Sequence, residues 1–78
     1  MIKPGDQFAA LHMAFRYALG RSTYVSYEVA ALLRNAWPKM DKRQRWMIKS
    51  EIVDAVLSDS AGMEQDRAEW QSILELGL

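Results

Sequence analysis

Glycine and proline cut this chain into four stretches, each carrying apolar residues at helical spacing. Pro4-Gly5 opens the first, with Asp6 expected as its N-cap. Phe8, Leu11, Phe15 and Leu19 then form one stripe, and Gly20 stands where a left-handed helix terminator belongs. Ser22, Thr23 or Ser26 is expected to cap the second helix, whose stripe is Val25, Val29, Leu32 and Ala36, flanked by Leu33. Pro38 disfavours helical geometry at Trp37 and closes that helix. Asp41 with Gln44 reads as a capping box for the third helix. There Ile48, Ile52, Ala55 and Val56 make one apolar face and Trp46, Val53 and Leu57 a second, which predicts a helix packed on two sides at the centre of the fold. Ser58 to Gly62 is rich in turn formers, with Met63 expected as a plug beneath it. Asp66 with Glu69 reads as a second capping box, ahead of a buried stripe of Trp70, Ile73 and Leu74. With no alternating strand pattern, repeat or low-complexity segment, the expectation is one all-α domain over residues 1–78, a bundle of four helices at about 6–19, 23–37, 42–58 and 66–76.

Seventy-eight residues support one modest core, and domains of this size often lean on disulfides, metals or self-association. There is no cysteine, and His12 is the only histidine, so no disulfide and no zinc site of the Cys/His kind is expected. No cofactor is expected either. The N-terminal residues lack the apolar run of a signal peptide, and no stretch approaches the roughly 20 apolar residues of a membrane span. No membrane partner is expected, which leaves self-association as the support open to a small core.

The formal net charge is zero, yet the charges are sorted. Residues 1–49 hold nine bases against three acids, and residues 50–78 hold one base, Arg67, against seven acids. Opposite surfaces of this kind must meet within the fold, across a dimer or on a partner. Within the third helix the order opposes the helix dipole, with Lys42, Arg43 and Arg45 in the first turns and Asp54 and Asp59 near the far end. Solvent and the acidic last helix are one source of compensation. An antiparallel second copy is another, and it predicts a homodimer with Lys42 and Arg43 of one chain against Glu51 and Asp54 of the other.

Residues Phe15 to Tyr24 place two arginines and two tyrosines, Arg16, Tyr17, Arg21 and Tyr24, around one helix end and turn. Arg16 and Arg21 have a structural reading, as donors to helix-one carbonyls and Glu28. They also have a functional one, because Tyr and Arg dominate the energetics of many interfaces. Tyr17 lies about 160–200° from the Phe8–Leu19 stripe, so it meets another helix or is exposed. The segment resembles an Arg-Tyr-Ala-Leu-Gly-Arg-x-Thr-Tyr element of small uncharacterised proteins of bacteriophages and prophages. The likeness extends in outline from about Phe8 to Leu74, through Glu28-Val29, Trp37-Pro38 and Gly62-Met63, and departs at Glu64-Gln65, where that group often carries a cysteine. The resemblance implies phage origin and a small helical fold; with it, the absence of cysteine fits a location in the cytoplasm of the bacterial host. It implies no activity.

No set of residues reads as an active site. His12 sits at the flank of an apolar stripe, Glu51 and Asp54 are an i, i+3 acid pair without a recognisable cleft, and the four glycines are too scattered for a phosphate loop. An enzyme is not expected. Nucleic acid is the alternative partner, met by Arg34, Lys39, Lys42, Arg43, Arg45 and Lys49 with Trp37 and Trp46 among them. A helix-turn-helix with Gly20 in the turn fits poorly, since Arg16 falls where a small residue belongs. The leading expectation is a helical module that binds a host or phage protein, with inhibition of a host machine such as a CRISPR-type defence complex as its concrete form. Its candidate contacts are Arg16, Tyr17, Arg21 and Tyr24 at the corner and Lys42, Arg43, Arg45, Trp46 and Met47 on helix three.

Overall fold

A computed structural model describes residues 4–21 and 23–78. Its elements are α1 (Pro4–Ala18), α2 (Thr23–Ala36), a single 3-10 turn (Trp37–Lys39), α3 (Lys42–Leu57) and α4 (Glu64–Leu74). Among the described residues there is no strand, so the all-α bundle stands. None of these helices is long and apolar enough to cross a membrane.

The helix ends follow local chemistry. Gly20 closes α1 at φ +87°, a conformation that costs an L side chain about 1–2 kcal/mol. Helix α1 begins at Pro4, so Asp6 falls within its first turn and not at the N-cap. The capping expected of Ser22 or Thr23 lies outside the described residues and side chains, and Ser26 is instead buried within α2. Helix α2 stops at Ala36, where Pro38 tightens the chain into the 3-10 turn that buries Trp37. The Asp41–Gln44 box forms in full: the Gln44 N–H donates to Asp41 Oδ1 at 2.8 Å, and the Asp41 N–H donates to Gln44 Oε1 at 3.0 Å. Helix α3 ends on Asp59 at φ +57°, with Ser60 N–H bonded to the Ala55 carbonyl and Asp59 N–H to that of Val56, a Schellman closure made without glycine. The second expected box shifts. Helix α4 starts two residues early, at Glu64, and Asp66 serves as its third residue, taking the N–H of Met63 on Oδ2 at 2.9 Å.

The core joins Phe15 and Ala18 of α1, Val29, Ala30 and Leu33 of α2, Ile48, Ile52 and Ala55 of α3, and Trp70 and Ile73 of α4, closed by Trp37, Met40 and Ala61. Phe15 meets Trp70 edge to face, with centroids 5.4 Å apart and planes at 83°. The stripe of α2 is rotated from the expected one: Leu33 is fully buried and Leu32 is 52% exposed. Small Ser26 and Ala30 face inward beside Leu33 on the helix against which α4 packs. The central helix is accordingly α2, packed on α1, α4 and the 3-10 turn, whereas α3 packs chiefly on α4. Helix α3 buries only one face; Trp46, Val53 and Leu57 stand in solvent. Met63 is likewise 75% exposed, and buried Ala61 fills the space beneath the loop.

Candidate partner-binding surface

The turn between α1 and α2 is flanked by aromatic side chains that the core does not use. Tyr17, Tyr24 and Tyr27 are all exposed, and Met13, one turn before Tyr17, is 72% exposed. Arg21 is held in place there: its guanidinium lies 4.8 Å from the centroid of the Tyr17 ring, and its Nε donates to the Tyr17 carbonyl at 3.2 Å. The nearby Glu28 carboxylate, as a hydrogen-bond acceptor and as a negative charge, pushes the Tyr24 phenol above its ordinary value. Met13 and Tyr27 belong to this surface and were missed in the sequence. The spacing Met13–Tyr17 and Tyr24–Tyr27 carries the signal, since neighbours on a helix face recur at three or four residues.

Arg16 faces elsewhere. Its Nη2 and Nε donate to Glu51 Oε1 at 2.8 and 3.2 Å, while His12 Nε2 meets Glu51 Oε2 at 2.7 Å. The His12 ring stacks near-parallel to Phe8 and Phe15, so it is fixed on both sides by α1 itself. Glu51, expected at a dimer contact, thus ties α3 to α1 through Arg16, a residue of the expected partner surface that stays well exposed. Burial alone would raise the Glu51 pKa, but hydrogen bonds from Arg16 and His12, with their charges, hold it below the usual carboxylate value. A folded value below the unfolded one gives stability that is present above the unfolded pKa and lost as pH falls through the folded pKa. Glu51→Gln is therefore expected to lower the folding stability at pH 7 by an amount on the order of 1 kcal/mol, since Arg16 is well exposed. In thermal melts at stepped pH, the gap to the parent chain should close below about pH 4.

Half of the expected basic face is spent inside the fold. Arg34 donates to Ser72 Oγ at 3.1 Å and pairs with Glu69 at 3.7 Å. Arg45 donates to the carbonyls of Trp37 (2.9 Å), Pro38 (3.3 Å) and Leu78. Lys49 caps the end of α4 through the carbonyls of Leu74 (3.0 Å) and Leu76, and lies over the Trp37 ring. Arg45, one of the three bases that look misplaced at the start of α3, and Lys49 at its middle therefore serve carbonyl ends of other elements. Lys39, Lys42 and Arg43 are exposed and take no hydrogen bond or ion pair among the described residues. Beside them Trp46 is 60% exposed and Met47 half-buried. The other two tryptophans are core residues, with Trp37 Nε1 donating to the Gly77 carbonyl at 2.7 Å.

A cleft of about 340 Å3 lies between the start of α1 and the 3-10 turn, lined by Phe8, Leu11, Ala36 and Met40 with Gln7, Lys39 and Gln44 at its polar positions. No three His, Cys, Asp or Glu side chains gather as a metal-binding group among the described residues. Comparison with known proteins brings no match to a family model, a curated protein or a solved structure.

Proposed function

We propose that this chain is a protein-binding module whose contact surface is the Met13, Tyr17, Arg21, Tyr24 and Tyr27 corner. The observation that carries the reading is that all three tyrosines of so short a chain lie outside the core, and that one of them, Tyr17, holds the Arg21 guanidinium stacked over its ring. A tyrosine offers a large contact area with few rotatable bonds, and an arginine already stacked loses less entropy on binding. The likeness of Phe15–Tyr24 to phage proteins supports a phage-encoded binder working in the bacterial cytoplasm by covering a surface of a host protein. Inhibition of a CRISPR-type defence complex is the concrete form proposed, on size and that likeness alone. No catalytic role is proposed for the His12–Glu51 pair, which acts as a staple between helices.

Nucleic acid is the second reading, favoured by Lys39, Lys42 and Arg43 standing uncommitted beside exposed Trp46. Capture from host lysate, with and without nuclease treatment, separates the two. A stoichiometric protein complex is expected, lost in the Tyr17→Ala/Tyr24→Ala double variant and largely retained between about 50 and 200 mM salt. Capture of nucleic acid alone, falling steeply over that salt range and abolished by Lys39→Ala/Lys42→Ala/Arg43→Ala, would overturn the proposal.

A further inference from the structure

The outward face of α3 has the make-up of a helix-pairing seam. Arg43, Trp46, Ser50, Val53 and Leu57 follow one another at alternating steps of three and four residues, the spacing that keeps side chains toward a neighbouring helix. At 100° per residue, Trp46, Ser50, Val53 and Leu57 fall within about 60° of arc. Trp46 is 60%, Val53 41% and Leu57 80% exposed, while Ile48, Ile52 and Ala55 on the other side are buried. A row of large apolar side chains in water is a liability unless something covers it.

We propose that the cover is α3 of a second copy of this chain, running antiparallel. The charges fix both the partner and its direction. Lys42 and Arg43 stand at one end of the seam and Asp54 near the other, and none of them has an ion-pair partner among the described residues. A parallel copy would set like charges side by side. An antiparallel copy sets Arg43 of each chain near Asp54 of the other and the apolar stripe of Trp46 and Val53 against its own reverse. Small Ser50 lies at the middle of α3, and its hydroxyl is turned back onto the Met47 carbonyl at 3.0 Å, so the two backbones can approach closely at the crossing. The helix dipoles agree. Lys42 and Arg43 crowd the positive end of α3, and an antiparallel neighbour brings its negative end alongside them. This pairing uses no residue of the tyrosine corner and is independent of what that corner binds.

Sedimentation of the full chain over a micromolar concentration series tests the pairing. The expected species has twice the 9.0 kDa chain mass and dissociates on dilution. Trp46→Glu is expected to leave a folded monomer with an unchanged far-UV spectrum, because the residue is outside the core, and a Tm that no longer depends on concentration. Arg43→Glu should raise the dimer dissociation constant about tenfold or more, and adding Asp54→Lys to the same chain should recover most of the loss. A 9.0 kDa species at every concentration overturns the pairing. So does a dimer that survives Trp46→Glu, or one weakened by Arg43→Glu that Asp54→Lys leaves unrecovered.

Discussion

Phe15→Ala is expected to lower Tm by at least about 12 °C and leave a substantial unfolded fraction at 37 °C. Phe15 is fully buried and sets its ring edge to face with Trp70, joining α1 to α4. Truncating a buried phenylalanine costs about 3–5 kcal/mol through lost transfer energy and the cavity left behind. A chain of this length holds roughly 4–12 kcal/mol in total, so the loss is a large share of it. Phe15→Leu keeps much of the volume and should cost less than half as much. Met13→Ala, two residues away but 72% exposed, should stay within about 0.5 kcal/mol of the parent. Thermal and urea unfolding of the three variants would show whether the core is organised around the Phe15–Trp70 pair. Equal stability of Phe15→Ala and Met13→Ala would show that it is not.

Gly20→Ala is expected to cost at least about 2 kcal/mol although it adds a single methyl group. The backbone at Gly20 has φ +87°, and an added Cβ would lie 2.8 Å from the carbonyl oxygen of Ser60. That neighbour is backbone, and it sits in the α3–α4 loop closed by the Ser60 to Ala55 hydrogen bond. Turning a side chain aside cannot relieve the clash; one loop has to move off the other. Gly77→Ala is the matched control, because a Cβ there meets nothing within 4 Å. Urea midpoints for the pair should differ clearly, and coincident midpoints would mean that the two loops do not touch in solution.

The parts of this fold legible in the sequence were those set by short-range chemistry. Gly20, Pro38 and the Asp41–Gln44 box each act within four residues, and each ends or begins a helix where its own stereochemistry requires. What stayed hidden depended on partners far along the chain. Periodicity shows that Trp46, Val53 and Leu57 share a face, but not whether a helix lies against it. Glu51 looked like half of an acid pair because its partners, Arg16 and His12, are 35 and 39 residues away. Arg45 and Lys49 looked like free surface charge for the same reason, since the carbonyls they serve belong to other elements. At the candidate surface, Tyr17, Arg21 and Tyr24 were found from residue type, and Met13 and Tyr27 only once their helix faces were known to be uncovered.

Two long cations on α3 also govern how the molecule comes apart. The end of a last helix ordinarily frays, with amides that exchange with solvent almost freely. Here the carbonyls of Leu74, Leu76 and Leu78 are held by Lys49 and Arg45, and the same Arg45 grips Trp37 and Pro38. Releasing that end means breaking charged hydrogen bonds rooted in the middle of the chain, so α4 cannot peel away while α3 and the 3-10 turn keep their places. The expected outcome is one cooperative unit in which amide protection at Ile73 and Leu74 rises and falls with that of α3.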